Sequence, residues 1–262
     1  MLAEERRAFL LQELNNNGYL QVAEIARRLN SSQATIRRDL FALEKEGLLI
    51  RKRGGAIRAS QQVTLELPYD VKRVQAIEEK EAIAEAAERL VEEGDTLLLD
   101  AGSTTYALAL RLLTHRRITV VTPDLQIAVK LAANPNITLI CTGGIARPYV
   151  YSLQGWQAAA FIENLRVDKT FLGADAIHPD GTISNVNIDE VAIKQAMIRA
   201  ARQVILLADG SKYERTGFFK VCDLSDVSLA ITDTGISPDM LNLLHSLDVR
   251  TITVEPKRAE ND

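Results

Sequence analysis

Residues 31–58 read SSQATIRRDLFALEKEGLLIRKRGGAIR, and how this stretch is parsed decides the fold of the front of the chain. Ser32 suits the start of a helix, because its hydroxyl accepts from one of the amides that a first turn leaves open. Beyond it, Ile36, Leu40 and Leu43 share one helical face, while Ala34, Arg37 and Arg38 lie roughly opposite. Gly47 ends the helix. Leu48-Leu49-Ile50 then reads as a short strand, Arg51-Lys52-Arg53-Gly54-Gly55 as a basic turn, and Ala56-Ile57-Arg58 as the returning strand. A basic hairpin behind a helix with outward arginines is a wing, placed to touch backbone phosphates. The glycines of its turn let it approach a duplex closely.

Upstream, residues 3–14 read as a helix with Leu10, Leu11 and Leu14 turned inward, stopped by Asn15-Asn16-Asn17-Gly18. Val22, Ile25, Ala26 and Leu29 repeat at helical spacing, and Asn30-Ser31-Ser32 makes a tight turn into the next helix. Two helices joined by so short a turn form a helix-turn-helix, whose second member lies in the major groove. On that reading Ser32, Gln33, Ala34 and Thr35 sit nearest base edges. Arg37 and Arg38 reach guanine edges or phosphates, and Arg51, Lys52, Arg53, Gly54 and Gly55 meet the backbone of double-stranded operator DNA. The alternative is a plain three-helix bundle whose arginines are merely solvated.

Charge leans the same way. Residues 1–58 hold 11 Lys and Arg against 7 Asp and Glu, a net +4, so the rest of the chain carries −8 of the total −4. A basic head suits a polyphosphate partner, although sampling alone can bias so short a stretch. The 262 residues are enough for two unequal domains, and 47% apolar with 25% charged is ordinary globular composition. No apolar run is long enough to span a membrane or serve as a signal peptide, so a soluble, cytoplasmic protein is expected. Cys141 and Cys222 show no metal or disulfide spacing, and Cys141, in NITLIC, reads as a buried strand residue.

Residues 59–74 lack periodicity, contain Pro68 and read as a linker between a head at 1–58 and a body at 75–262. The body opens with a helix over 75–93, striped by Ile77, Ile83, Ala84, Ala87, Leu90 and Val91 and ended by Gly94. Strands at 96–100, 118–121, 137–141, 169–172, 204–208, 229–232 and 251–254 then alternate with helices near 104–113, 124–133, 155–164, 187–201 and 237–247. That alternation predicts a doubly wound α/β domain with a mostly parallel sheet, which binds ligands at the carboxyl ends of its strands.

The first strand end is the most informative. Leu97-Leu98-Leu99-Asp100 runs into Ala101-Gly102-Ser103-Thr104-Thr105, where a helix begins. Glycine, hydroxyls and the open amides of a helix start are the parts of a phosphate cradle; simple helix capping by Ser and Thr needs the same residues. Further strand ends offer Thr122, Gly143-Gly144, Gly173-Ala174-Asp175 and Asp209-Gly210-Ser211-Lys212. Glu190 and Lys194 lie one helical turn apart; an exposed ion pair would be so spaced, but the recurrence of such groups at successive strand ends favours an effector-binding site that includes Glu190.

Two runs now carry a resemblance. Thr35-Ile36-Arg37-Arg38-Asp39-Leu40, Leu43-Glu44, Gly47-Leu48-Leu49, Arg51 and Gly54-Gly55-Ala56 resemble the head of the DeoR family of bacterial regulators. Asp100–Thr105, Val120–Thr122, Gly143-Gly144, Phe171–Ala174, Gly181, Glu190, Lys194–Met197 and Asp209–Lys212 resemble that family's sensor domain, which is similar in fold to ribose-5-phosphate isomerase. The chain departs from the family pattern at Asn30-Ser31, where Gly-Val is usual, at Arg53, where His is common, and at Pro123, where Asn is common. The resemblance implies a phosphosugar effector with its phosphate on Gly102–Thr105, and a part in the response for Lys80, Asp209 and Lys212. It also implies repression as the commoner mode.

An isomerase carrying a DNA-binding head is the rival reading. The isomerases hold a carboxylate-rich Asp-Gly-Ala-Asp-Glu segment where this chain has Leu172-Gly173-Ala174-Asp175-Ala176, and their Lys-Gly-rich catalytic segment has no counterpart. With binding groups kept and acid–base groups depleted, a sensor is expected rather than an enzyme. His115, His178 and His245 are scattered and form no metal or triad pattern, and no cofactor is implied. Trp156 reads as a core or interface residue. A purely architectural DNA binder would need no such pocket. Tight operator binding needs two half-sites, so a homodimer or homotetramer is expected.

Overall fold

The computed structural model describes residues 2–17, 19–45, 48–58 and 69–257. The chain divides into two compact units, Met1–Gln75 and Ala76–Asp262. The first contains α1 (Ala3–Asn17), β1 (Tyr19–Gln21), α2 (Val22–Arg28), α3 (Gln33–Lys45), β2 (Leu49–Lys52), β3 (Gly55–Arg58) and α4 (Tyr69–Val74). Leu10, Leu11 and Leu14 from α1, Ile25 from α2, and Ile36, Leu40 and Leu43 from α3 close one core. Each such side chain, once buried, contributes about 1.5–3 kcal/mol.

The turn between α2 and α3 depends on Asn30, whose φ of 44° lies in the left-handed region. Asparagine tolerates that conformation better than other residues with a Cβ, so the turn is made without a glycine. Ser32 caps α3 as its sequence promised: its Oγ accepts from the Thr35 amide at 3.1 Å. The hairpin of β2 and β3 is joined on its far side by β1, giving an antiparallel sheet ordered β1-β3-β2. Gly55 has a reason within the head as well. A Cβ at Gly55 would stand 2.0 Å from the Leu20 carbonyl oxygen. The glycine therefore admits β1, and Gly54, at φ 84°, makes the turn itself.

Several boundaries differ from the sequence reading. Helix α1 runs through Asn15–Asn17, since helix propensity outlasts three asparagines when one face is buried. The far end of the supposed linker is helix α4, whose Val71 packs into the core of the first unit. Gly18, Gly47 and residues 59–68, Pro68 included, lie outside the described residues.

The second unit contains α5 (Ile77–Glu88), β4 (Thr96–Leu99), α6 (Ser103–Leu112), β5 (Ile118–Thr122), α7 (Leu125–Leu131), β6 (Ile137–Cys141), β7 (Ile145–Ala146), β8 (Leu153–Gln154), α8 (Trp156–Glu163), β9 (Val167–Gly173), β10 (Ala176–Ile177), β11 (Thr182–Asn185), α9 (Ile188–Ala200), β12 (Ala201–Leu207), β13 (Phe219–Asp223), β14 (Leu229–Asp233), α10 (Pro238–Ser246) and β15 (Arg250–Val254). Seven strands form a sheet ordered β15-β14-β12-β9-β4-β5-β6, and every neighbouring pair is parallel. Leu98 and Val121 turn to the face covered by α8 and α9. By the two-residue period of a strand, Leu97 and Leu99 turn the other way, and both are fully buried. A smaller antiparallel sheet, β10-β11-β13, shares its core with β12 and α10 through Ile177, Ile183 and Val221.

The chain starts in the middle of the large sheet, at β4, builds β5 and β6 outward, then returns to lay β9 against the other edge of β4. The crevice at the carboxyl ends of β4 and β9 is thus a topological switch point, where the loops leave in opposite directions and make room for a ligand.

Some expectations fail here for local reasons. Helix α5 ends at Glu88, well before Gly94, and Ile77, in its first turn, is exposed while Lys80 takes the buried place. Cys141 is exposed rather than buried, because β6 is an edge strand and Cys141 is its last residue. Cys222 is the buried one, and burial pushes its thiol up to about 12. Trp156 is 75% exposed, which excludes a core role. Among the described residues no helix is long and apolar enough to cross a membrane.

Candidate functional site

In the first unit, α3 carries Gln33, Ala34, Arg37 and Arg38 on an exposed face, with Ser32 exposed at its start and Thr35 half-buried. Arg37 is steadied by Gln33, Nη2 to Oε1 at 3.0 Å. Asp39, in the middle of the arginine run, turns inward and pairs with Arg6 and Arg7 of α1. It fixes the angle of α3 against α1 and leaves the arginines to face out. Arg51 pairs with Glu44 and stacks on the Phe41 ring at 5.0 Å. Lys52, Arg53 and Gly54 are exposed at the tip of the wing.

In the second unit the expected residues gather along one edge of the sheet. Asp100 follows β4 and is buried. Its Oδ1 accepts from the Ala101 amide and its Oδ2 from the Gly173 amide, both at 2.9 Å, and the Lys194 ammonium bonds Oδ2 as well. Lys194 also reaches the Gly173 carbonyl at 3.0 Å. Burial pulls the Lys194 pKa down, but Asp100, Glu190 and Asp175 around it pull harder, and it stands above the usual lysine range. One lysine on α9 therefore clamps the two strand ends that flank the switch point.

Gly102 is the N-cap of α6, and Ser103, Thr104 and Thr105 are its first three residues. Amides in a first turn have no carbonyl within the helix to bond. They lie at the positive end of the helix dipole, which suits an anion. Two of the expected hydroxyls are spent internally. Thr105 Oγ1 donates to the carbonyls of Asp100 and Gly102, at 2.7 and 2.9 Å. Thr122 Oγ1 donates to the Leu99 carbonyl at 2.8 Å and accepts from the Asp124 amide. Both shape the loop; Ser103 and Thr104 carry the hydroxyls left for a ligand.

Glu190 does not pair with Lys194, its neighbour one turn along, and neither is exposed. Its Oε1 accepts from Ser152 at 2.8 Å, Arg147 at 3.3 Å and Gln154 at 3.4 Å; its Oε2 accepts from Asn185 at 2.9 Å. Ser152, Arg147 and Gln154 belong to the β7–β8 hairpin, so Glu190 anchors that hairpin to α9. Gly143 and Gly144, with φ of 72° and 117°, lead into it, and a Cβ on Gly144 would strike the Gln154 carbonyl at 2.4 Å. These two glycines shape the hairpin beside β6 rather than the α6 loop.

A second group sits at the end of β12. Asp209 is buried and caps the turn Gly210–Lys212 through Ser211. Burial pushes its carboxyl up, but Lys212, Ser211 and Lys80 together hold it below the usual carboxylate range. Lys80, buried on α5, thus shares one electrostatic environment with Asp209 and Lys212. Asp175, half-buried two residues past β9, stands between the groups in strand order.

The sequence reading did not single out Asp124, Arg147, Ser152, Gln154 or Asn185, and it did not foresee the pairing of Lys194 with Asp100. Only Asp124 left a signal, as the residue before a helical run, where a carboxylate N-cap belongs. Among the described residues no three His, Cys, Asp or Glu side chains are placed to hold a metal.

Residues 6–62 match the DeoR-like helix-turn-helix domain, and residues 75–234 the DeoR C terminal sensor domain. The chain is 34% identical to the uncharacterized HTH-type transcriptional regulator YulB of Bacillus subtilis, over 97% of this chain and 98% of that one. It is 30% identical to the glycerol-3-phosphate regulon repressor of Escherichia coli, over 97% of this chain and 99% of that one. Of solved structures, ribose 5-phosphate isomerase A of Methanocaldococcus jannaschii aligns over 51% of this chain and 53% of that one, with 18% identity and a TM-score of 0.38.

Proposed function

Because this chain belongs to the DeoR family of helix-turn-helix transcriptional regulators, with a DNA-binding head and an effector-binding sensor domain, we propose that it represses a sugar-catabolism operon and leaves its operator when a phosphorylated sugar binds. It is a regulator and not an enzyme, as its full-length relatives are. The observation that carries the finer reading is the loop Gly102–Thr105. It opens helix α6 at the switch point, beside the clamped Asp100–Lys194 pair. A phosphate there is held by the open amides and the Ser103 and Thr104 hydroxyls, and the sugar extends toward β9 and β12, with Lys212 meeting a hydroxyl or a second charge. The name of the E. coli relative, a repressor of a glycerol-3-phosphate regulon, supports a phosphate ester.

Gln33, Ala34, Arg37 and Arg38 read bases, Lys52 and Arg53 hold the backbone, and two or four copies occupy paired half-sites. Ligand binding shifts DNA affinity only if it favours the form that cannot bind the operator. The test is release of operator DNA by a panel of phosphosugars and their dephosphorylated forms, with wild type and Thr104→Glu. The acid should abolish the response and leave DNA binding intact. A free sugar acting as well as its phosphate would overturn the phosphate assignment.

A further inference from the structure

Asp124 lies fully buried between β5 and α7. Its Oδ1 caps α7, accepting from the amides of Gln126 at 2.7 Å and Ile127 at 3.0 Å. Its Oδ2 turns the other way and accepts from the Gly102 amide at 3.2 Å. Gly102 is the first residue of the loop assigned above to phosphate. An oxyanion in that loop therefore comes up against a carboxylate oxygen already on one of its donors. Two anionic oxygens at hydrogen-bond distance repel unless a proton lies between them.

We propose that a phosphate group bound at Gly102–Thr105 shares one proton with the Asp124 carboxylate, so that the effector enters the loop together with a hydrogen ion. This rests on the placement of the phosphate argued above.

The charges around the loop favour the arrangement. Asp100 approaches Asp124 from the end of β4. Behind Asp100, α9 contributes Lys194 and Glu190, and the segment after β9 contributes Asp175. The β7–β8 hairpin, bridged to Asp124 at Ser152, contributes Arg147. Arg147 is bonded to Glu190, and Lys194 to Asp100, so both cations are engaged. Asp100 already sets a like charge beside Asp124, and a fully ionised phosphate adds another. A proton taken up with the ligand removes part of this like charge. Burial has already pushed Asp124 up to about 7, against the pull of the Ile127, Gln126 and Gly102 amides. The proton is therefore within reach near neutrality. A carboxylate beside the anion also selects among ligands: it accepts from a phosphate that keeps its own O–H.

Calorimetry on the full chain with methyl phosphate, whose dianion at about pH 8 carries no O–H of its own, counts the protons exchanged when run in two buffers of different ionisation enthalpy. Wild type should take up about one proton, and its affinity should fall about tenfold for each further pH unit. Asp124→Asn keeps an N-cap side chain and offers the phosphate an amide donor; it should bind with proton uptake near zero and a flat pH profile. Wild-type binding without proton uptake overturns the inference by itself, with no variant needed. So does an Asn variant that takes up as much as wild type. Failure of both proteins to bind methyl phosphate at any pH overturns instead the assignment of phosphate to the loop, and the inference with it.

Discussion

Lys194 and Asp100, 94 residues apart in sequence, bond each other in the interior of the sensor unit, Nζ to Oδ2. The pair joins α9 to the end of β4 and holds Gly173 of β9 from both sides, through its amide and its carbonyl. Removing one partner leaves the other as a lone buried charge. Lys194→Met should therefore cost about 3–5 kcal/mol in urea unfolding. The double variant Asp100→Asn, Lys194→Met should cost less than the sum of the single changes.

The wing cations should separate by role. Lys52→Ala and Arg53→Ala should weaken binding to all DNA sequences alike, each lowering the salt slope by about one. Arg51→Ala should also reduce thermal stability, since its guanidinium is held by Glu44 and Phe41. Arg37→Ala and Arg38→Ala should each cost on the order of 1–3 kcal/mol at operator and little elsewhere, if they reach base edges. Gel shifts at two salt concentrations distinguish these patterns.

The paired glycines of the wing should differ sharply. Gly55→Ala drives a methyl group into the Leu20 carbonyl, so β1 must leave β3. A loss of about 1–3 kcal/mol is expected, read as a lowered melting temperature of the head. Gly54→Ala has open space around it and bears only its positive φ, a cost of about 1 kcal/mol.

Stability should fall as pH rises from acid toward neutral. Asp124 has a folded-state pKa near 7, above the roughly 3.9 of an unfolded aspartate. The folded form thus binds the proton more tightly. The contribution is full below about pH 4 and is lost as pH rises through about 7, a swing of order 4 kcal/mol. Urea midpoints should drop between about pH 4 and 7 in wild type and level off above, and change much less in Asp124→Asn.

Long elements were legible because their periodicity reports burial directly. The face Ile36, Leu40, Leu43 came from spacing, and the strands at 96–100 and 118–121 from short apolar runs alternating with helices, each within one residue of where β4 and β5 end. Short elements were not: β1, β7, β8 and β10 have two or three residues each and carry no period. The same holds for the site. Residues at strand ends could be named in sequence, because a parallel sheet gathers those ends. Their partners could not. Glu190 finds Ser152 and Arg147 rather than Lys194, and Asp124 finds Gly102, through folding that brings distant loops together. Gly55 was singled out for its missing Cβ, and within the head the atom that needs the space is Leu20 O.

The order of the large sheet also bears on how the chain is made. As it leaves the ribosome, β4 first has only β5 and β6 to pair with. Its other edge stays bare until Val167–Gly173 has emerged. The loop that follows β4 is by then complete, yet Asp100 has no counter-charge until Lys194 arrives later still. Contacts of such wide sequence separation form slowly. The strand ends around Asp100 thus cannot set before α9 has emerged, and a ligand held by them cannot rescue the nascent half. Synthesis interrupted before α9 leaves an open strand edge and a stranded carboxylate, a species for chaperones and proteases to deal with.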